Sequence, residues 1–274
     1  MSTTASGLHT RPARRARLGS YAWWQLRDYF TDRGVPTFII CALFGYLEVG
    51  PVHALLQQRL ARVGPAMVTQ YGSMDAARHA IVHHASALLL ASLLGALVFL
   101  GALLATNGIV ANDRKLGFYR FLFAKPVAPP RFYGQAFLLN WCGFLVVMSV
   151  LALIYGRVIT PVLTPTFLAG LGLMFLCYGG IAFMLSAVAR WDWLSLVTVT
   201  VLASWLWDRY GESDSPLATL LYLLPPLHRT TKVYDAIAGG VALPWHTVAW
   251  SAGYGAACYA IGLVVLRYRR LAII

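Results

Sequence analysis

Apolar and charged positions in this chain are segregated into long blocks, without the short periods of a soluble amphipathic fold. A hydrocarbon core of about 30 Å needs about 20 helical residues to cross it, so long uncharged stretches predict membrane-spanning helices. Six such stretches follow one another, at residues 34–46, 85–112, 132–156, 158–189, 193–207 and 236–266. The pattern therefore predicts an all-α membrane protein with six transmembrane helices.

Two of the six stretches are shorter than a full span. The first reaches span length if Glu48 lies at the outer membrane boundary and the helix continues toward Val52. The stretch 193–207 has only 15 residues, which rise about 22 Å in an α-helix. Tryptophans suited to anchoring in the interface lie at both ends, at positions Trp191, Trp193, Trp205 and Trp207. We therefore expect a short span whose flanks, or a locally thinner bilayer, absorb the mismatch.

Two other stretches are longer than one span and contain turn residues near their starts. Threonine and proline residues predict a turn before a helix from about Thr166, at Thr160, Pro161, Thr164 and Pro165. Similarly, Gly239, Gly240 and Pro244 predict a loop before the last helix.

Before the last span lies an apolar segment, at about 215–228, that is too short to cross. Residues 215–227 read SPLATLLYLLPPL and end close to a proline pair. This length is typical of a re-entrant or interfacial segment, and irregular backbone at membrane depth needs cover from neighbouring helices. The candidate gate residues are Leu224, Pro225 and Pro226. The alternative is an ordinary surface loop with an apolar helix.

Basic residues are unevenly distributed between the two sides that six spans define. With the N-terminus inside, 15 of the 22 Lys and Arg residues fall on the cytoplasmic side and seven fall outside. Cytoplasmic loops carry the excess of Lys and Arg, so the chain is predicted to be N-in and C-in. Residues 1–34 are expected to form a cytoplasmic basic tail and an interfacial helix, and residues 35–274 the six-helix transmembrane domain.

Composition argues against several other classes of protein. Only 12% of the residues are charged, about half of the usual soluble share. The net charge of +12 resides at the ends of apolar stretches, so nucleic-acid binding is not expected. The four cysteines form no CxxC pair, which argues against a disulfide framework or a zinc site. A histidine cluster lacks carboxylate or thiol company apart from Asp75, so no bound metal is expected at His79, His83 and His84.

The loop between the second and third spans offers the clearest candidate for a function. Residues 112–135 read NDRKLGFYRFLFAKPVAPPRFYGQ. A helix here would be amphipathic. One face would contain Asp113, Gly117, Arg120 and Ala124, and another would contain Leu116, Tyr119, Leu122 and Phe123. Because proline cannot continue a helix, Pro126 ends this amphipathic helix, which is predicted over about 112–125. The alternative is a plain interfacial helix that holds the loop to the membrane.

This loop and the layout of the chain resemble the type-2 permeases of ATP-binding-cassette (ABC) transporters, which have the type V exporter fold. The residues that carry the resemblance are Asp113-Arg114-Lys115, Gly117, Leu122-Phe123 and Pro126-Val127. An interfacial helix before the first span and a broken apolar segment before the last are further shared features. The chain departs from the family pattern at Phe118, Arg120 and Gln135, where Thr, an acidic residue and Lys are common.

The resemblance implies that the loop helix is a coupling helix, which seats in a cleft of a separate ATPase subunit and carries ATP-driven movement to the membrane. The residues that would take this role are Asp113, Arg114, Leu116, Gly117, Tyr119, Arg120 and Leu122. A second permease chain, identical or different, and membrane lipids complete the expected partners. The resemblance also implies export across a cell inner (plasma) membrane, and the Arg-rich, Lys-poor composition is typical of a bacterial protein.

The chain lacks the motif that would let it hydrolyse ATP itself. A P-loop needs GxxxxGK[ST], so that backbone amides and a lysine hold the phosphates. No Gly-Lys pair occurs in the sequence. We therefore expect no enzyme activity and no cofactor on this chain, with ATP and Mg²⁺ bound by the partner ATPase.

Two other functions remain open beside the permease. One is a non-catalytic scaffold subunit of a larger membrane complex. The other is an intramembrane lipid-modifying enzyme, in which the histidine cluster or Glu48 would act as acid-base groups. No paired polar constellation inside the spans supports the enzyme.

Small and aromatic residues inside the spans are weaker candidates. Pairs of small residues at helical spacing, Ala91 with Gly95 and Gly253 with Ala257, predict close helix contacts within the bundle. Aromatic side chains could line a path for an amphiphile or pack in the core, at positions Phe144, Tyr155, Phe175, Tyr178 and Phe183.

Overall fold

All regular structure in the described part of the chain is helical. The computed structural model describes residues 23–106, 110, 129–159, 161–188, 192–211, 221–225 and 230–268. In chain order the helices are α1 (Trp23–Ala61), α2 (Pro65–Tyr71), α3 (Met74–Thr106), α4 (Pro129–Gly156), α5 (Pro165–Val188), α6 (Asp192–Tyr210), α7 (Thr230–Ala238) and α8 (Trp245–Tyr268).

Five of these helices, α1, α3, α4, α5 and α8, are long and apolar enough to cross a membrane. They account for five of the six predicted stretches, and α5 and α8 begin at Pro165 and Trp245, close to where turn residues predicted their starts. The sixth stretch lies in α6, a helix of 19 residues that is not among the five. Asp192, Asp208 and Arg209 lie near the ends of α6 and shorten its apolar part.

The interfacial helix predicted before the first span is not a separate element. Residues 23–29 pass through a π-helical turn, Phe30–Gly34, directly into Val35–Ala61 and form one helix of 39 residues. Gln25 and Tyr29 are buried against the bundle. The segment is therefore part of the first long helix and packs into the bundle.

Two contacts fix the direction of α3 relative to α1. The Arg33 guanidinium donates to the carbonyl of Ala105 at 2.9 Å, and the Cys41 thiol lies 3.9 Å from the carbonyl of Leu97. From the first contact to the second, the residue number increases by eight along α1, from Arg33 to Cys41, and decreases by eight along α3, from Ala105 to Leu97. The two helices are therefore antiparallel.

The same reasoning makes α4 parallel to α1. The Tyr29 ring lies directly on Gly143, where a Cβ would overlap it. Further along both helices, the Tyr155 hydroxyl donates to the carbonyl of Ala42 at 2.5 Å. α1 thus lies against both α3 and α4, with its first residue at the same end of the bundle as the end of α3 and the start of α4.

Helix α5 is the most buried of the five long helices. It runs antiparallel to α4, since aromatic rings pair in reverse order, Phe144 with Phe175 at 4.7 Å and Phe137 with Phe183 at 5.9 Å. The interior of the bundle is therefore filled by aromatic and aliphatic side chains from α5 and the helices around it.

Helix α8 runs parallel to α5 at a very close distance. A Cβ on Gly180 would overlap the carbonyl of Gly255, and a Cβ on Gly262 would lie 3.2 Å from the Cα of Met184. The contact partner of Gly255 is Gly180 and that of Gly262 is Met184, so the residue numbers increase in the same direction along both helices. The two helices are therefore parallel. Consequently the chain between α5 and α8 has to return to the end of the bundle where α5 begins.

Candidate functional site

The seven predicted coupling residues lie outside the described residues: Asp113, Arg114, Leu116, Gly117, Tyr119, Arg120 and Leu122. The structure describes the frame on either side of them. α3 ends at Thr106 and α4 begins at Pro129, and both of these termini lie at the end of the bundle where α1 begins. The coupling assignment itself stays a prediction.

The end of α3 and Val110, four residues beyond it, are held by side chains from two other helices. The Arg33 guanidinium of α1 donates to the carbonyl of Ala105, which lies one residue before the last described residue of α3. A cation is also favoured at a helix C-terminus by the helix dipole. The backbone N–H of Val110 donates to the Ser186 hydroxyl of α5 at 3.4 Å, and Val110 is fully buried. Movement of this end would therefore reach α1 and α5.

The inner face of α1 is polar over its first turns. Gln25, Tyr29 and Thr37 are buried, and Arg33 is half-buried between Tyr29 and Thr37. In the described residues the Gln25 Oε1, Tyr29 hydroxyl and Thr37 hydroxyl oxygens have no hydrogen-bond partner. Arg33 is one of the 15 Lys and Arg residues assigned to the cytoplasmic side in the sequence analysis. Its position four residues after Tyr29 and four before Thr37 is a signal that could have placed it on a shared face with them.

The predicted gate segment is described at Leu224 and Pro225, whereas Pro226 lies outside the described residues. Leu221 and Pro225 are buried, and Leu224 packs against the main core. The Tyr254 hydroxyl of α8 donates to the carbonyl of Leu223 at 3.0 Å. Since Tyr254 lies nine residues after the first residue of α8, the segment reaches about 14 Å along that helix.

Helix α7 follows the gate segment and was not predicted as an element. Its apolar side chains Val233, Tyr234 and Ile237 are buried, while Lys232 and Asp235 are exposed. This spacing of buried and exposed positions is the amphipathic signal that could have predicted it. The helix is short, with nine residues, so its signal is easily missed beside the long apolar stretches.

The π-helical turn of α3, Ser92–Ala96, receives a side chain from α7. The Tyr234 hydroxyl donates to the carbonyl of Leu94 at 3.3 Å, and Gly95 leaves room for it, since a Cβ there would lie 3.4 Å from the hydroxyl. On the other side, Ile237 packs against Gly170 of α5. α7 is thus fixed to two of the long helices.

The weaker candidates take structural roles or remain exposed. His79, His83 and His84 are exposed on α3, and the described residues contain no group of three His, Cys, Asp or Glu that could hold a metal ion. Five aromatic residues are buried in the bundle, which favours core packing over an open path within one chain: Phe144, Tyr155, Phe175, Tyr178 and Phe183.

The described chain is thus an all-helical protein with five helices long and apolar enough to cross a membrane. This composition and architecture are those of a membrane protein. No family model, curated protein or solved structure matches the chain.

Proposed function

We propose that this chain is the transmembrane (permease) subunit of an ATP-driven ABC exporter, which forms the translocation path and couples to a separate ATPase subunit. One observation carries the proposal. The end of α3 at Ala105 is tied to α1 through Arg33, and Val110, four residues beyond α3 and just before the amphipathic segment 112–125, is tied to α5 through Ser186. A force applied to that segment would therefore move three of the long helices together, as an alternating-access change requires.

The energy for this movement comes from another chain. The sequence has no P-loop, so ATP and Mg²⁺ are bound by the partner ATPase, and the amphipathic segment seats in a cleft of that partner. The apolar face of the segment supplies buried contact area, and its charges supply orientation.

The translocation path lies between this chain and a second permease chain. Within one chain, α5 occupies the centre of the bundle and is covered by α4 and α8, with aromatic side chains between them. Such a core is packed rather than open. A path for cargo therefore needs a second copy or a related chain, and the segment 221–225 closes it near the outer side.

Helix α6 supplies the sixth crossing of the inner membrane. Because α5 and α8 run parallel, the chain between them has to cross back, and α6 is the long helix in that interval. Its 19 residues rise about 28 Å, close to the thickness of the hydrocarbon core. Six crossings support the N-in and C-in arrangement expected from the distribution of Lys and Arg.

Charge substitutions on the coupling segment test the proposal. The tagged chain is purified from its native membrane, and ATP hydrolysis by the co-purified ATPase is measured with and without this chain. We expect Gly117→Glu and Arg120→Glu to lower the stimulated hydrolysis at least tenfold, because a bulky acidic group disturbs the docking face. Arg131→Glu is the matched control, since Arg131 is exposed at the start of α4 outside segment 112–125.

Two outcomes would contradict the proposal in different ways. If both variants stimulate hydrolysis as well as Arg131→Glu does, the coupling assignment is wrong. If no ATPase co-purifies while other subunits are retained, the chain is a scaffold subunit instead.

A further inference from the structure

Helices α1 and α3 continue well past the end of α4, on the side of the bundle away from the start of α1. Tyr155, the residue before the last one of α4, packs on Gly45 of α1. From Gly45 to its end at Ala61, α1 continues for about 24 Å. α3 runs antiparallel beside it from Met74. The two helices therefore form a hairpin that projects beyond the end of α4.

The projecting hairpin, residues 49–84, has a small apolar core of its own. Leu56 of α1 is buried in one cluster with Ile81 of α3. Met67 of the short helix α2 packs against this cluster and covers it at the tip. Gly72 has a left-handed backbone conformation, with a φ of 80°, which ends α2 and lets the chain turn into α3. The hairpin is thus a folded element with a defined surface.

The tip of the projecting hairpin lies beyond the lipid headgroups. Glu48 of α1 and Arg157, two residues after Tyr155, are both exposed and mark the level where the apolar surface of the bundle ends. Arg59 lies about 16 Å beyond Glu48 along the helix axis, and still about 12 Å beyond it at a tilt of about 40°. The headgroup layer is only about 5–8 Å thick on each side of the hydrocarbon core. The surrounding membrane therefore does not reach the tip.

The exposed surface of the projecting hairpin is positively charged. Arg59, Arg62 and Arg78 are exposed, whereas Asp75 is the one acidic residue of the hairpin. The antiparallel pairing of α1 and α3 places Arg78 level with Leu60, one residue after Arg59. The three guanidinium groups are therefore grouped near the tip.

Two exposed apolar side chains lie at the same tip. Tyr71 is 42% exposed and Met74 41%, and no other large apolar side chain of the projecting hairpin is exposed. Arg78 follows Met74 by one helical turn, so the two side chains are neighbours on α3. Tyrosine, methionine and arginine are enriched in protein–protein interfaces, and an apolar centre with a polar rim is the usual arrangement of such a surface.

We propose that the tip of the projecting hairpin docks the acidic face of another protein, on the side of the membrane opposite to the start of α1. The arginines attract acidic groups and orient the partner as it approaches, and Tyr71 and Met74 supply the apolar contact. A second copy of this chain does not fit, because two tips of the same charge repel each other. The surface is present whatever the chain transports, so the inference is independent of the proposed function.

Photo-crosslinking in the native membrane tests the docking surface. The photoreactive residue benzoylphenylalanine is introduced as Tyr71→benzoylphenylalanine in the full chain, and the products of irradiation are identified by mass. We expect one discrete adduct with a different protein, in which the attached peptide carries more Asp and Glu than Lys and Arg. Tyr46→benzoylphenylalanine is the matched control, because Tyr46 is exposed on α1 before Glu48, at the level of the apolar surface, and should react with lipid.

Charge substitutions separate docking from accidental proximity. We expect Arg59→Gln combined with Arg78→Gln to lower the yield of the adduct at least tenfold, because the attraction for the acidic face is lost. Arg157→Gln is the matched control, since Arg157 is exposed on the same side but lies near the membrane, and it should leave the yield unchanged. An unchanged thermal midpoint of unfolding shows that each variant keeps its fold.

Salt supplies a second measurement that needs no arginine substitution. Irradiation in about 1 M salt, where the screening length is about 3 Å, should lower the yield of the adduct at Tyr71 at least threefold. An adduct that contains only lipid or a second copy of this chain would overturn the docking surface. The absence of any adduct, or a yield that neither the arginine substitutions nor salt change, would overturn it as well.

Discussion

At the scale of single residues, a glycine decides how closely α8 approaches the central helix. A Cβ on Gly255 would lie 2.8 Å from the Cα of Cys177 and would overlap the carbonyl of Leu176. Backbone atoms cannot move aside as a flexible side chain can, so any larger residue there has to push the helices apart.

We predict that Gly255→Val lowers the stability of the protein by about 1–3 kcal/mol or more, the usual cost of overpacking. The measurement is the thermal midpoint of unfolding of the purified protein in detergent. Gly253→Val is the matched control on the same helix, because no atom lies within 4 Å of a Cβ built at Gly253. Equal midpoints for the two variants would show that the close approach of α5 and α8 does not limit stability.

The two glycines also mark a limit of sequence reasoning at this scale. The spacing of Gly253 and Ala257 predicted a close helix contact, and that prediction is wrong within this chain, since both residues are exposed. Gly255, two residues after Gly253, makes the close contact with α5 instead. Small residues show that a close approach is possible, but the neighbouring helix determines which of them it uses.

At the scale of elements, the interval between α6 and α8 is held in place by hydroxyl groups. Tyr254 of α8 binds the carbonyl of Leu223, and Tyr234 of α7 binds the carbonyl of Leu94 in the π turn of α3. A π turn leaves helix carbonyls without their usual partners. The Tyr234 hydroxyl donates to a carbonyl within this turn, so α7 and the turn stabilise each other.

We predict that Tyr234→Phe destabilises α7 locally by about 1 kcal/mol, the typical net value of one buried hydrogen bond. Hydrogen exchange at the backbone amides of α7 should then be about fivefold faster, because local opening becomes more frequent. Lys232→Ala is the control, since Lys232 is exposed on the same helix. Unchanged exchange in Tyr234→Phe would mean that the buried Val233 and Ile237 alone hold α7.

At the scale of the whole molecule, the directions of the helices decide the topology. α1 and α4 run one way, and α3, α5 and α8 run the other way. Residue 23 at the start of α1 and residue 268 at the end of α8 consequently lie at the same end of the bundle. That arrangement is consistent with an even number of crossings, of which α6 would be the remaining one.

We predict that α6 crosses the membrane, so that its two ends lie on opposite sides. Single cysteines are placed at Arg190 and Glu212, which flank α6 in the sequence, and labelled in sealed vesicles with a reagent that does not cross the bilayer. Arg190→Cys should react from the side where Trp23→Cys reacts, and Glu212→Cys from the other side. Reaction of both from one side would reduce α6 to a helix that lies along the surface.

The sequence by itself determined where the long helices lie and that they suit a membrane. In lipid every backbone group has to be paired within the segment, which leaves a long apolar stretch little alternative to a helix. For this reason α4, α5 and α8 could be located closely, and α5 was separated from the preceding turn at Pro165. The start of α3 was placed wrongly, because the helix begins at Met74, eleven residues before its uncharged stretch. The coupling residues 113–122 rest on the sequence pattern and the resemblance alone.

Only the tertiary structure decided which faces of these helices meet. Lipid and protein interiors are equally apolar, so the sequence of a membrane-spanning helix does not show which of its faces is buried against other helices. In a soluble helix the buried face is apolar and the exposed face is polar, so the sequence does show it. The contact at Gly255, the insertion of Tyr234 beside Leu94 and the enclosed polar face of α1 all depend on neighbours far away in the chain. These contacts are decided by the shapes of the helix surfaces and by hydrogen bonds between helices. No single stretch of sequence determines either of them.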